Sequence, residues 1–231
     1  MGILHAGRRL TELLAPKRGF HCQIERLGVH FPLPLSFPSL NAVAERLAIS
    51  SSAIFPPEVG LNRAAVALVL RQGDGLGPEV LLIERAEHPD DPWSGHMALP
   101  GGRAEPIDQT LYDTATREAF EEVQVDLKQH ARCLGHLTTL TARARHRTQE
   151  LTVTPYVFEL TASHQLTGNG EVQQILWVPL PSLLAPEAKA TISVDAPQGG
   201  ERLTFSGWDV GGRVVWGLTH RMLSEFLRVV L

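Results

Sequence analysis

The stretch from Leu111 to Val123 constrains the fold of this chain most. Its apolar residues Leu111, Ala115, Ala119 and Val123 recur every four positions, whereas acidic residues crowd another face. This spacing is typical of an amphipathic α-helix that packs one side against a core. We therefore expect a helix here, with a carboxylate-rich face left for solvent or for a ligand.

Strands and helices alternate on both sides of this helix. Before it, apolar runs at 63–70 and 79–83 flank a glycine-rich turn, which predicts a β-hairpin. Further segments have strand or helix patterns. They are strands at 133–140, 151–160 and 174–178, a helix near 39–48 capped by a serine, and a closing helix from about Leu218 to Val230.

The alternation runs without a linker or an internal repeat, so a single mixed α/β domain over residues 61–231 is predicted. The first 60 residues are rich in proline and have little sustained periodicity apart from the short helix. They are interpreted as an N-terminal arm that packs on the core of that domain.

Composition excludes several classes of protein. The chain has 231 residues, of which 43% are hydrophobic and 20% charged, as in ordinary globular proteins, and its net charge of -4 provides no field to attract nucleic acid or an anionic membrane. No apolar run approaches membrane-spanning length. Cys22 and Cys133 are far apart and indicate neither a disulfide framework nor a zinc site, so a reducing cytoplasm fits best.

Three acids of the predicted helix share one face. Glu118, Glu121 and Glu122 stand at positions i, i+3 and i+4, so their carboxylates point in the same direction within reach of a common point. Their mutual repulsion is unfavourable unless cations or basic side chains neutralise it. Hard oxygen ligands of this kind suit Mg²⁺ or Mn²⁺, which often bridge to the phosphates of a substrate.

The loop and helix together resemble the Nudix hydrolase signature, G-x5-E-x7-R-E-U-x-E-E-x-G-U, in which U is aliphatic. The matching residues are the glycines after Pro100 and the run from Arg117 to Glu122. Two positions differ from the signature. Asp108 replaces the first glutamate in a loop that is one residue longer, and Gln124 replaces the last glycine, so the helix is expected to continue or to end differently.

The chain is most similar to the coenzyme A pyrophosphatase branch of this family. The segments 81–86, 93–102 and 215–223 resemble that branch, with differences at Asp90, at Gly95, which stands one position late, and at Leu99. These differences keep a second substrate class open, namely ADP-ribose, NADH or a dinucleotide. A non-catalytic Nudix-like nucleotide-binding domain is the alternative of another class, although all three acids are present.

The resemblance implies a fold, a reaction and roles for individual residues. The fold is an α/β/α sandwich with a mixed β-sheet between helices, and the reaction is metal-dependent hydrolysis of a nucleoside diphosphate linked to another moiety. Glu118, Glu121 and Glu122 are implied as catalytic metal ligands, with the carbonyl of Gly102 completing the site. Arg117 is expected to position these acids.

Other residues are expected to complete the site. Glu171, in a glycine-rich loop before a predicted strand, is the candidate for an additional catalytic acid. Arg85, Arg103, Arg143 and Arg145 are predicted to bind the phosphates. The expected partner is the small-molecule substrate, with neither nucleic acid nor membrane, and a homodimer is left open.

Overall fold

The computed structural model describes residues 37–51, 62–74, 77–87, 94–142, 150–194 and 202–231. Every element named below belongs to one compact unit of the chain, Pro34–Leu231. The predicted N-terminal arm lies outside the described residues except for 37–51, so its packing on the core stays a prediction.

Five α-helices occur in the described part of the chain. They are α1 (Leu40–Ser51), α2 (Leu111–Val123), α3 (Leu127–His130), α4 (Leu180–Leu183) and α5 (Gly217–Val230), and a 3-10 turn spans Pro186–Ala188. The predicted helices at 39–48, 111–123 and 218–230 are therefore confirmed. Among the described residues, no helix has both the length and the apolar character that crossing a bilayer requires.

The strands form two sheets. Those of the main sheet are β1 (Arg63–Gln72), β2 (Pro78–Arg85), β3 (Met97–Ala98), β4 (Gly101–Arg103), β5 (Ala131–His136), β6 (Leu140–Ala142), β7 (Leu151–Leu160) and β8 (Val172–Pro179). Its central order is β3-β2-β1-β7-β5, while β4 pairs with β1, β6 with β7 and β8 with β2. The β1–β7 pair is parallel and the other pairs are antiparallel, so the predicted mixed sheet is confirmed.

Strand β1 shows how the core is divided into layers. Successive side chains of a strand point to opposite faces. Ala65, Ala67 and Val69 belong to the apolar cluster that contains the buried face of α2, whereas Leu68 and Leu70 belong to the cluster that contains α1 and α5. Helices thus cover both faces of the sheet, and the predicted α/β/α sandwich is confirmed.

A second, three-stranded sheet was not predicted. It is antiparallel in the order β11-β10-β9 and consists of β9 (Lys189–Val194), β10 (Leu203–Val210) and β11 (Arg213–Trp216). Polar residues alternate along β9 and β10, and much of both strands is exposed, so their hydrophobic signal is weak. The strand predicted at 133–140 is confirmed in part: it is divided into β5 and β6, because the chain leaves the sheet between them.

Helix α2 ends where the signature places its glycine. Gln124 adopts the left-handed conformation (φ 59°, ψ 32°), and its backbone N–H donates to the carbonyl of Phe120. A residue with a side chain can take this conformation at a cost of about 1–2 kcal/mol. The replacement of glycine by Gln124 therefore does not lengthen the helix, although it leaves strained backbone at its end.

Candidate active site

The glycine-rich loop reaches the acids because β4 pairs with β1. Gly101 and Gly102 lie opposite Val66 and Ala65, and the N–H of Gly101 donates to Oε2 of Glu122 at 2.9 Å. A Cβ on Gly101 would lie 2.5 Å from the carbonyl oxygen of Ala65, and one on Gly102 would collide with the carboxylate of Glu118. Gly101 therefore has to be glycine for β4 to lie this close to β1, and Gly102 lets the loop approach the carboxylate of Glu118 on α2.

Glu122 is the most deeply buried acid of the site, with 3% of its surface exposed. Burial raises its pKa to about 7, and the charges of Glu118 and Glu171 act in the same direction. The N–H of Gly101 and the guanidinium of Arg85, whose Nη1 lies 3.8 Å from Oε1, oppose this rise only in part. Without a cation, Glu122 therefore titrates near neutral pH.

Glu118 and Glu121 are held by a shared arginine. Nη1 of Arg117 donates to Oε1 of Glu118 at 3.0 Å and to Oε2 of Glu121 at 3.1 Å. The Glu118 side chain is largely buried, and burial raises its pKa more than Arg117 lowers it. Glu121 is half exposed, so the two acids experience different environments although they lie one turn apart.

Arg117 is itself anchored by a buried carboxylate. Its Nε and Nη2 donate to the two oxygens of Asp108 at 3.0 and 2.9 Å, and Nη2 also donates to the carbonyl of Arg103. Asp108 accepts further hydrogen bonds from the N–H of Glu105 and the hydroxyl of Thr114. Burial alone would raise the pKa of Asp108, but these hydrogen bonds outweigh it and lower the pKa.

The anchoring role of Asp108 was not predicted from the sequence, where this residue stands out only as a departure from the signature. The available signal was the position of Asp108 at the end of the glycine-rich loop, nine residues before Arg117. Spacing along an irregular loop does not specify which groups meet, so the ion pair became visible only in the folded chain.

The structure brings Glu171 close to the acids of α2. The carbonyl of Glu171 accepts a hydrogen bond from the N–H of Ala86 at 2.8 Å, and the next residue, Val172, pairs with Arg85. Its side chain is exposed, and its charge contributes to the raised pKa of Glu122. The candidate named from its loop position is thus near the buried carboxylate.

The four predicted phosphate-binding arginines differ in what the structure describes. Arg85 extends from the end of β2 to Glu122, as above. Arg103 is exposed at the end of β4, and its carbonyl accepts a hydrogen bond from the guanidinium of Arg117. Arg143 and Arg145 lie outside the described residues, and their role stays a prediction.

The predicted meeting of three acids at one point is not assembled in the structure. Within the described ranges, no three His, Cys, Asp or Glu side chains form a group able to hold a metal ion. The physical reason is that like charges repel. The carboxylates instead accept hydrogen bonds from the guanidinium of Arg117 and from the N–H of Gly101. The groups present nevertheless fit Mg²⁺ or Mn²⁺, because buried carboxylates with raised pKa values gain from a cation and offer only hard oxygens.

Comparison with protein families decides the assignment. The model of the NUDIX domain matches residues 61–195, more than half of the chain. This chain belongs to the Nudix family. The resemblance seen in the loop and helix is therefore confirmed, and with it the assignment to the Nudix hydrolases.

Curated relatives match parts of the chain. An uncharacterized protein of Schizosaccharomyces pombe is 39% identical over 122 residues, which are 52% of this chain and 37% of that protein. An uncharacterized Nudix hydrolase of Yersinia pestis, NudL, is 30% identical over 154 residues, 66% of this chain and 73% of that protein. The match thus spans well under half of the yeast protein.

Solved structures of Nudix proteins also align with the chain. An Ap4A hydrolase of C. elegans aligns with a TM-score of 0.44 at 23% identity, over 52% of this chain and 81% of its own. The NUDIX domain of Shewanella oneidensis NrtR, complexed with ADP ribose, aligns with a TM-score of 0.42 at 23% identity, over 61% and 85%.

Proposed function

We propose that this Nudix protein hydrolyses the diphosphate bond of a nucleoside diphosphate linked to another moiety, with coenzyme A or one of its derivatives as the first candidate. The observation that supports this most is the pair of buried acids, Glu118 and Glu122, packed against the glycine-rich loop at Gly101 and Gly102. Buried carboxylates of this kind destabilise the folded state unless a bound cation neutralises their charge.

The ligand is a divalent cation, Mg²⁺ or Mn²⁺. Glu118, Glu121 and Glu122 would hold it, together with the carbonyl of Gly102. When bound, the cation neutralises charge on the phosphate oxygens and lowers the pKa of a water molecule. The bound charge also turns an acidic patch into one that accepts phosphate.

The remaining steps belong to side chains of the chain itself. Arg85, whose guanidinium lies near Glu122, binds a phosphate oxygen next to the acids, and the exposed Arg103 at the end of β4 binds another. Glu171, exposed and near Glu122, accepts the proton of the attacking water. Arg117 positions Glu118 and Glu121 through its hydrogen bonds and does not contact the substrate.

Resemblance to the coenzyme A pyrophosphatase branch is what favours coenzyme A. The differences from its upstream motif at Asp90 and Leu99 support the second candidate, a Nudix pyrophosphatase for ADP-ribose, NADH or a dinucleotide. Both candidates share the adenosine diphosphate portion and the bond that is cleaved. They differ in the group attached to the second phosphate and in the 3′-phosphate that only coenzyme A carries.

A hydrolysis panel tests the proposal. Coenzyme A, acyl-coenzyme A, ADP-ribose, NADH and dinucleoside polyphosphates are incubated with Mg²⁺ or Mn²⁺, and products are separated by chromatography. We expect the wild type to cleave at least one of them and Glu122→Gln to lose about 100-fold or more of that rate. Glu187→Gln, which removes an exposed acid near the second sheet, is the matched control and should keep full activity.

Two results would contradict the proposal. If the wild type cleaves nothing in the panel but binds one of the compounds, the chain is the non-catalytic nucleotide-binding domain named above as the alternative of another class. If Glu122→Gln cleaves as fast as the wild type, the acids of α2 are not the catalytic group. A cytoplasmic location and a homodimer stay predictions.

A further inference from the structure

Three neighbouring aromatic side chains, near the second sheet, have no part in the chemistry above. The ring of His96 lies 4.8 Å from that of Trp216, and Trp216 lies 5.6 Å from Phe205. Phe205 is 39% exposed, and the other two rings are partly exposed. We call these three residues the aromatic row. Large aromatic side chains left open to solvent side by side are typical of binding surfaces.

The pairing of the second sheet places two of these rings on one face. Gly207 lies opposite Trp216, and Phe205 is two residues earlier in the same strand. Directly opposite residues share a face of a sheet, as do alternate residues of a strand. A Cβ on Gly207 would lie 3.3 Å from the Cβ of Trp216 and 2.5 Å from the carbonyl of Val215, so glycine is what leaves the space between the rings.

A β-bulge pairs the backbone of His96, the first member of the aromatic row, with that of Arg85. The N–H of Gly95 donates to the carbonyl of Arg85, and the N–H of Arg85 donates to the carbonyl of His96. Gly95 and His96 thus both lie opposite Arg85, and Gly95 has a φ of 71°, which is the pattern of a G1 bulge. The backbone of His96 is therefore one strand spacing, about 5 Å, from that of Arg85, whose guanidinium approaches Glu122.

Two further contacts tie the second sheet, and the helix α5 that follows it, to the main sheet. Nε of Arg213 donates to Oε2 of Glu84 at 2.6 Å, which ties β11 to the end of β2. The hydroxyl of Thr219, in the first turn of α5, donates to the carbonyl of Met97 at 3.0 Å. Trp216 thus lies between two residues that are bonded to the main sheet, Arg213 before it and Thr219 after it.

We propose that the aromatic row binds the planar base of the nucleotide substrate by stacking. A base is separated from its first phosphate by a single ribose. If the diphosphate lies at Arg85 and the acids, the base is therefore within reach of the aromatic row, whose first member, His96, lies one strand spacing from Arg85. The proposal rests on the proposed function, since it assigns a subsite to the same substrate, and it names Phe205 as a residue that sets specificity for nucleotides.

A cavity beside helix α2 is the rival place for a base. It has a volume of about 520 Å³ and is lined by Phe120 and Ile107, both exposed, together with Arg117 and Lys128. These basic groups are already engaged, since Arg117 pairs with acids of the loop and helix and Lys128 pairs with Asp113 at 2.6 Å. A diphosphate in this cavity would have to displace acids from both cations, whereas a diphosphate beside the acids of the site brings its base to the row.

Binding of AMP and of ribose 5-phosphate, measured by isothermal titration calorimetry, tests the row without requiring catalysis. We expect Phe205→Leu to weaken AMP about tenfold and to leave ribose 5-phosphate, which lacks a base, unchanged, because stacking of one base contributes about 1–3 kcal/mol. Phe205→Trp keeps an aromatic ring and should bind AMP as the wild type does. Phe120→Leu, which removes an even more exposed ring from the cavity, is the matched control and should have no effect. Circular dichroism of each variant shows that it is folded.

Each other outcome overturns the row as the base subsite. The proposal fails if wild type binds AMP no better than ribose 5-phosphate, if Phe205→Leu binds AMP as wild type does, or if Phe120→Leu alone loses AMP. Its failure is distinguishable from that of the proposed function. If Phe205→Leu loses AMP binding but nothing in the panel is hydrolysed, only the proposed enzymatic activity is contradicted. If a compound in the panel is hydrolysed but Phe205→Leu binds AMP as the wild type does, only the role of the aromatic row is contradicted.

Discussion

The two ends of helix α2 are built for different purposes. At the N-terminal end, Thr110 and Asp113 form a capping box, and Asp113 is an acid where the helix dipole favours one. At the C-terminal end, Glu121 and Glu122 stand where the dipole disfavours acids, Glu118 lies one turn before them, and no basic residue occupies the last turn. The same helix therefore gains stability where it begins and loses stability where the candidate catalytic acids lie.

The contrast between the two ends shows how a short helix supports an unfavourable site. Asp108 and Arg117 connect the two ends, because Arg117 makes hydrogen bonds both to the loop before the helix and to the acids near its end. The stable end thus holds the unstable end in place. Four substitutions separate these contributions, and each is measured by urea unfolding.

Arg117→Ala should have the largest effect, a loss of about 3–5 kcal/mol of unfolding free energy, because it leaves the buried carboxylate of Asp108 without its partner. Arg132→Ala is the matched control. It removes an arginine that is half exposed and pairs with Glu159, so it should cost less than about 1 kcal/mol. Equal losses in both variants would mean that Arg117 does not connect the two ends.

Glu122→Gln should raise the stability of the protein in chelator by about 3 kcal/mol at pH 8. An acid whose pKa is higher in the folded than in the unfolded state binds more protons when folded, so stability falls as the pH rises between the two values. For Glu122 these pKa values are 4.5 and about 7. Unfolding from pH 4 to pH 8 measures the slope.

The neutral amide that Glu122→Gln introduces keeps an oxygen that accepts the N–H of Gly101, so packing of the loop is retained. The fall in stability of the wild type over this range should be reduced in the variant. If stability falls with pH as steeply in the variant as in the wild type, or if the variant is less stable at pH 8, the buried carboxylate does not destabilise the C-terminal end of the helix.

Thr110→Ala should cost about 1 kcal/mol, because the hydroxyl of Thr110 caps the N–H of Asp113 at 3.1 Å. Thr110→Ser keeps the hydroxyl and should stay within a few tenths of a kcal/mol of the wild type. If serine and alanine are equally destabilising, the hydroxyl is not what stabilises this end.

Gln124→Gly should have the smallest effect, a gain of up to about 1 kcal/mol. Glycine relieves the left-handed strain at φ 59°, but the unfolded chain gains entropy and the hydrogen bond from Nε2 to the carbonyl of Phe120 is lost. Gln124→Ala loses the same hydrogen bond and keeps the strain, so it should be less stable than the wild type. A stabilising alanine would contradict the role of backbone strain.

Much of the fold was predictable from local patterns. The helix at 111–123 and the strand at 151–160 have the predicted bounds, because their periodicity is regular and their apolar faces are buried. The second sheet was missed because its strands are half exposed and alternate weakly. Its place beside β2 depends on Arg213 and Glu84, which are 129 residues apart in the chain.

The candidate site divides in the same way. Its acids and glycines were identified from the sequence, since their spacing is a local property of one loop and one helix. Their states were not. Burial of Glu122, the half exposure of Glu121 and the anchoring of Arg117 by Asp108 depend on which groups come together.

The family, the layered α/β fold and the carboxylate residues follow from the order of the amino acids, because each rests on periodicity or on spacing within a short stretch of chain. Folding in three dimensions was needed to establish that Glu122 lies buried with a pKa of about 7, that Glu171 lies close to it, and that an aromatic row stands one strand from Arg85. The physical reason is that desolvation and contact arise between segments far apart in the chain, and neither is encoded in any one of them.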